Sequence, residues 1–458
     1  MGELLQPEYF KLLRESEAPQ ISPDGQHILY TIQFFGKAGE RRLDVVYVSP
    51  NEAPRTLNVG GNTHHPSWSL DGSLIAVAAT EADARKSEVH ILNANADSLC
   101  ERYNIDGEVY AIMWNADNTK LAVEFFEAGG DDDGPRVVKR LRYNYNGRGF
   151  IGSRRWQIAL IDRESHSIQI FGDSRFHHFS PAWAPDGERL AFITTRRADW
   201  DLEWIWDVYV ADLKTGAFTR VTQSDGVSLY PVWSPNGKNI AYLHNHCVST
   251  GSTADYHLCQ ASIEGQSWHI KCLTHDLDRG GAMIYELPVP GGGRPVFAVD
   301  GQSIFWVVND KGRYCLESVT GVGTSITLQR DVGWPTASRD GRFMAWLQYR
   351  PDGPPVVTLW DKSSERAVKR WDDNKWLQGL SLCREPRLFS FASDEHVVQA
   401  WLWDVDRSQS KKPLLIQSHG GPHGTFGPYF SMTQQLLASA GYCVAALNYR
   451  GSAGFGQA

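Results

Sequence analysis

One short hairpin is written seven times along this chain, and no other feature limits its folds so sharply. Each copy reads as a proline, a short apolar strand, a turn at Asp-Gly or a close variant, and a second strand of the form Ile-Ala-Tyr. The copies begin at 19 (PQISPDGQHILYTI), 66 (PSWSLDGSLIAVAA), 112 (IMWNADNTKLAVEF, without the proline), 181 (PAWAPDGERLAFIT), 231 (PVWSPNGKNIAYLH), 295 (PVFAVDGQSIFWVV) and 335 (PTASRDGRFMAWLQ). Their turn residues are Asp24, Asp71, Asp117, Asp186, Asn236, Asp300 and Asp340, about 53 residues apart on average. Asp-Gly and Asn-Gly accept the positive φ of a tight hairpin, and the β-branched and aromatic residues on either side favour strands. Further strand pairs, such as 156–172 and 206–222, fall between copies and bring each repeat to four strands. A lone four-stranded sheet leaves both faces bare, whereas seven set radially bury each face against a neighbour. The pattern predicts a mainly β protein built on a seven-bladed β-propeller, with Trp68, Trp183 and Trp233 packed between blades.

The pattern stops after residue 373. Residues 387–395 and 396–405 read as a hairpin, and 413–419 (PLLIQSH) as an apolar strand of the kind buried on both faces of an α/β sheet. The loop GGPHGTFGP follows. In 429–440, Met432, Leu436, Leu437 and Ala440 recur at helical spacing, and Gly441 supplies a stop. A second buried strand at 442–449 runs into RGSAGFG. Strand, glycine loop, helix and strand open a doubly wound α/β domain. The expected division is therefore a propeller over 1–375, with 1–18 as an N-terminal segment, and an incomplete α/β domain over 376–458.

A loop of this kind suits one chemistry. Backbone N–H groups of a glycine pair at a strand end can point at a carbonyl oxygen as it becomes an oxyanion, and glycine lets the substrate come close. Gly420 and Gly421 are the candidate donors, and His419 orients the loop. His-Gly-Gly-Pro by itself is also an ordinary tight turn. Taken with the repeats before it and with NYRGSAGFG after it, the stretch HGGPHG resembles the prolyl oligopeptidase family of serine peptidases, most of all its acylaminoacyl-peptidase branch. Phe455 stands where tyrosine is frequent in that family. The resemblance runs over almost the whole chain. It implies a propeller ahead of an α/β-hydrolase domain, limiting entry to short peptides, with no metal or organic cofactor. It also implies hydrolysis of short peptides or release of N-terminal (acyl)aminoacyl residues. Aminopeptidase types in the family hold a substrate amine with carboxylates, and Asp199, Asp201 and Glu203 in ADWDLEWIW are candidates; a solvated loop is the simpler account of them.

The nucleophile is missing. A Gly-x-Ser-x-Gly elbow is needed for the serine of such a hydrolase, and none occurs in the 458 residues. RGSAG around Ser452 has Arg450 in place of the first glycine. The triad is therefore expected outside this sequence, and 376–458 is short against the ~200 residues of a complete domain. A fragment of a longer peptidase, a chain completed by a second polypeptide and a degenerate pseudoenzyme all fit. The alternative function is a non-catalytic propeller that binds a peptide or protein.

Composition narrows the partners. With 45 basic against 53 acidic residues the net charge is −8, which argues against nucleic acid or an anionic membrane. Seven cysteines without CxxC spacing indicate reduced thiols rather than a disulfide framework or a zinc ribbon. No apolar run approaches a membrane span and the N-terminus has no signal-type core, so the expected location is the cytoplasm. Two insertions remain. Arg136, Lys139, Arg140, Arg142, Arg148, Arg154 and Arg155 could face an acidic substrate terminus, though a solvated hairpin explains them as well. His244, His246, Cys247 and Cys259 could ligate zinc, but their irregular spacing favours a plain loop.

Overall fold

The computed structural model describes residues 3–57, 59–81, 86–96, 98–129, 137–145, 149–248, 255–265, 267–281, 294–405, 411–421 and 423–456. Among the described residues, seven four-stranded antiparallel sheets follow one another, six built from consecutive strands and the third interrupted by the two-stranded pairing of Asn144–Tyr145 with Gly149–Phe150. Their first strands are Glu15–Ile21, Asn62–Trp68, Gly107–Trp114, His178–Trp183, Val227–Trp233, Val296–Phe297 and Val332–Ala337. Neighbouring sheets pack face to face, and every junction holds its own apolar cluster. The last junction brings Ile28 and Tyr30 of the first sheet onto Ala345, Leu347 and Val357 of the seventh. The ring is thus closed by packing between its ends, with no strand exchanged. The chain is mainly β, a propeller followed by a small α/β sheet.

The repeated turn works as its sequence suggests. In all seven copies the Asp or Asn Oδ1 accepts the N–H two residues on, at 2.8–3.0 Å. The next residue has positive φ, between 63° and 75°; it is glycine six times and Asn118 in the third copy. Tryptophan adds a directional bond between blades. The indole Nε1 of Trp68 donates to Gln20 O, Trp114 to Ser67 O, Trp183 to Met113 O and Trp233 to Ala182 O, at 3.1–3.2 Å. Each bond runs from the first strand of one sheet to the first strand of the sheet before it.

The proline of the repeat means something other than a strand start. The first strands begin several residues earlier and run through it. Their pairing slips there, and the residue before the proline takes positive φ: Ala18, His65, Ser180, Tyr230 and Trp334, at 47–59°. A bulge leaves one N–H out of the ladder, which is where proline costs nothing.

After a 3-10 turn at Lys375–Gly379, a second sheet forms in the order Arg387–Ser393, His396–Trp403, Cys443–Asn448, Leu414–Ser418. The last two pair in parallel, with the helix Met432–Ser439 as their crossover. Two expectations shift here. Leu414–Ser418 is an edge strand whose Leu414 and Ile416 are exposed at 57% and 70%, so it is not buried on both faces. The helix buries Gln434 and Gln435 rather than a purely apolar stripe. Gln435 earns its place by hydrogen bonding: its Oε1 accepts Cys383 N–H at 2.8 Å, and its Nε2 donates to Pro351 O and Cys383 O. The N-terminal segment belongs to this end of the molecule, since Glu3–Leu4 pairs with Leu380–Ser381, and Leu5 and Leu13 join Leu377, Leu380 and Leu382. Among the described residues no helix is long and apolar enough to cross a membrane.

Replacing Trp233 by Phe keeps the aromatic packing but strands the buried Ala182 carbonyl. We expect a loss of about 1–3 kcal/mol in urea unfolding; an unchanged midpoint would show that the indole bond contributes nothing.

Candidate active site

The loop after Leu414–Ser418 is held from three sides. His419 stacks on Tyr449 with ring centroids 4.3 Å apart, and Tyr449 Oη donates to His419 O at 3.0 Å. The imidazole Nδ1 lies 3.0 Å from Gly420 O, and Nε2 lies 2.7 Å from Ser452 Oγ. Ser452 Oγ in turn donates to Tyr449 O at 2.7 Å, so both ring nitrogens of His419 are engaged within the loop. Asn448 reads the far side of the loop, accepting Phe426 N–H at 2.7 Å and donating to Phe426 O at 2.9 Å. Thr425 Oγ1 donates to Ala453 O, and Ala453 N to Gly424 O.

The third support is the propeller. Its Asp310–Arg313 turn lies against the loop: Asn309 Nδ2 donates to Thr425 Oγ1 at 3.1 Å and Lys311 N to Gly454 O at 2.9 Å. Tyr429 accepts Tyr314 N–H at 2.6 Å, donates to Asp331 Oδ1 at 3.2 Å and stacks on the Tyr314 ring. Burial, with Asp331 next to it, holds the Tyr429 phenol well above its usual range, so it stays a neutral donor.

Within this frame Gly420 and Gly421 are exposed, and among the described residues neither backbone N–H has a hydrogen-bond partner. Gly421 has φ +133°, and a Cβ there would sit 2.6 Å from the amide nitrogens of His423 and Gly424. The position therefore admits only glycine without a shift of the loop. Ser452 is buried at 5%, its hydroxyl shared between His419 and Tyr449 O. It locks the loop and has no access to a substrate.

The family model described as the Dipeptidyl peptidase IV (DPP IV) N-terminal region matches residues 184–248. A Bacillus subtilis protein named Uncharacterized peptidase YuxL is 24% identical over 96% of this chain and 70% of its own length. The acylamino-acid-releasing enzyme of Sus scrofa is 39% identical over 76% of the chain, which spans about half (52%) of that enzyme. The solved Pyrococcus horikoshii acylaminoacyl peptidase shares the fold, with a TM-score of 0.77 at 19% identity, covering 99% of this chain and 68% of that one. The chain is a relative of the prolyl oligopeptidase family of peptidases, near its acylaminoacyl-peptidase branch.

The remaining candidates stand elsewhere. Asp201 is buried and accepts Arg140 Nη1 at 2.8 Å and Leu141 N–H at 2.9 Å. Glu203 pairs with Arg197 at 2.8 Å, and Asp199 lies 3.6 Å from the same guanidinium. These carboxylates are already matched by arginines. Arg142 in turn donates to Glu203 O and lies over Trp204, and Arg155 faces Trp200. The arginine-rich insertion thus fastens the third blade to the 198–206 loop, while Arg136 and Arg148 lie outside the described residues. A cavity of about 1060 Å³ lies under this insertion, lined among others by Lys139, Arg140, Arg154, Arg155, Asp106 and Glu127 and, among the described residues, by none beyond Ser174. It is separate from the glycine loop. His244 and His246 do meet, but with Asp225; Cys247 and Cys259 stand outside that group.

Burial alone would raise the Asp201 carboxyl, yet the hydrogen bonds from Arg140 and Leu141 outweigh it and hold the group below the ordinary range. Its stabilising contribution is therefore present at neutral pH and is lost as pH falls below about 4. Asp201→Asn is expected to cost about 1–2 kcal/mol in urea unfolding at pH 7 and much less at pH 3; an equal cost at both values would contradict the pairing.

Proposed function

We propose that this chain carries the oxyanion-binding half of a serine peptidase that hydrolyses short peptides or releases N-terminal (acyl)aminoacyl residues. The observation behind the reading is the pair of exposed amides at Gly420 and Gly421, without a hydrogen-bond partner among the described residues, on a loop fixed by His419, Tyr449, Asn448 and the propeller turn. In this role the two N–H groups receive the carbonyl oxygen as it gains charge, in a site that needs no reorganisation when the charge appears. His419, with Nδ1 against Gly420 O and Nε2 against Ser452 Oγ, positions the loop. The serine, its base and the acid lie outside this sequence, on further elements of an α/β-hydrolase sheet that 376–458 begins. The sheet face that carries the exposed Phe389, Phe391, Leu414 and Ile416 is the surface such elements would cover. The propeller stands over the loop and limits the substrate to short peptides. Relatives named as acylamino-acid-releasing enzymes and peptidases support the substrate class.

In the native protein that contains this chain, Gly421→Ala pushes a methyl group into the His423 and Gly424 amides. The expected result is a fall in kcat on an acylated aminoacyl anilide of on the order of 100-fold or more, with KM changed only a few-fold. An unaltered kcat would remove Gly421 from the site. A native protein that no fluorophosphonate labels would instead favour a propeller that binds peptides without cleaving them.

A further inference from the structure

The fifth blade gathers three metal-ligating side chains that the peptidase reading leaves unused. Asp225 lies in the loop entering the first strand (Val227–Trp233), His244 near the end of the second (Asn239–Asn245), and His246 just past it. His244 Nε2 is 3.2 Å from His246 Nδ1 and 3.3 Å from Asp225 Oδ1, and His246 Nδ1 is 3.1 Å from Asp225 Oδ2. The imidazoles meet edge to face, with centroids 4.3 Å apart. His244 is buried at 3%, whereas His246 is exposed and Asp225 half-buried.

Hydrogen bonding leaves this triangle short. Each ring nitrogen carries at most one proton and can direct it along one line, so two imidazole nitrogens and a carboxylate facing each other pairwise cannot satisfy all three sides. A cation at the centre satisfies them together. Ligands at about 2.0–2.2 Å around a tetrahedral ion lie about 3.3 Å from one another, the spacing found here. The outer partner is present as well: Ser228 Oγ is 2.9 Å from His244 Nδ1, so a proton held there leaves the Nε2 lone pair turned to the centre. The strand pairing sets this geometry, since Ser228 stands directly across the ladder from His244.

We propose that Asp225, His244 and His246 bind one divalent ion of the zinc class, with a fourth position left to water. Two imidazoles and one carboxylate suit such an ion, and magnesium or calcium would call for oxygen ligands throughout. The ion would tie the loop before the first strand to the segment after the second. Both are already bonded to the fourth blade, through Trp206 N to Gly226 O and Trp204 N to Val248 O. The connection after the second strand corresponds, one blade on, to the Asp310–Arg313 turn that touches Thr425 and Gly454. The ion would thus stiffen the rim of the propeller that faces the glycine loop. This inference does not depend on the peptidase reading.

The test uses chelator-treated native protein, with Zn²⁺ titrated by calorimetry and Co²⁺ followed by visible absorption. The wild type is expected to take up one Zn²⁺ that His246→Ala and Asp225→Asn bind at least about 100-fold more weakly, both side chains being accessible enough for the fold to survive. Ser228→Ala is expected to weaken binding about tenfold. Co²⁺ should show d–d bands of a nitrogen and oxygen site without thiolate charge transfer, and saturating Zn²⁺ should raise Tm only in proteins that keep the triad. Equal Zn²⁺ affinity in the wild type, His246→Ala and Asp225→Asn, with circular dichroism confirming that all are folded, overturns the site. Thiolate charge transfer in the Co²⁺ spectrum also overturns it, because the metal would then sit on cysteine.

Discussion

Everything in this molecule rests on the burial of sheet faces against one another around a closed ring. A four-stranded blade has two apolar faces and no way to cover them alone, so each junction carries a cluster such as Ala191, Ile193, Trp233 and Tyr242 between the fourth and fifth sheets. Area burial is non-directional and would tolerate blades that slide. The indole bonds from Trp68, Trp114, Trp183 and Trp233 to the preceding strand add the register that burial lacks. At the closing junction, where neither sheet presents a tryptophan at that position, Ile21 N–H donates to Thr336 Oγ1 at 3.3 Å. Closure without strand exchange puts the cohesion of the ring into side chains.

A ring stiff in this way can serve as a wall. The sixth blade's turn and the Tyr314–Tyr429 stack meet the glycine loop from one side, while Tyr449, Ser452 and Asn448 hold it from the other. The two exposed amides have no hydrogen-bond partner among the described residues. Exposed, oriented donors on a backbone that cannot easily relax are what stabilising a developing negative charge requires. The N-terminal segment reinforces the arrangement by packing Leu5 and Leu13 on the 377–382 stretch, so both ends of the propeller sequence meet near the second sheet.

Much of the fold was legible because its repeat is local. An Asp or Asn that caps its own turn, followed by a residue able to take positive φ, is a four-residue signal, and all seven copies bond as the chemistry dictates. The proline was harder to place. From sequence it looks like the start of a strand, yet it marks a bulge inside one, which only the pairing slip reveals. The helix after the glycine loop was legible by period, but its buried face depends on backbone groups of Pro351 and Cys383 that only tertiary structure brings to Gln435. Charge was the least legible feature. Asp201 and Glu203 read as free acids until Arg140 and Arg197 arrive, the first from an insertion some sixty residues away. Asp225 gave no signal beside the HNHC stretch, because the ladder between two strands, and not sequence spacing, makes it a neighbour of His244 and His246.

The most direct measurement of the central claim is a crystal structure of the native protein inactivated by a peptidyl phosphonate. The phosphonyl oxygen is expected about 2.7–3.1 Å from the Gly420 or Gly421 nitrogen, with His419 still bonded to Gly420 O and Ser452. A phosphonyl oxygen held by other donors, with those two amides turned into internal hydrogen bonds, would contradict it.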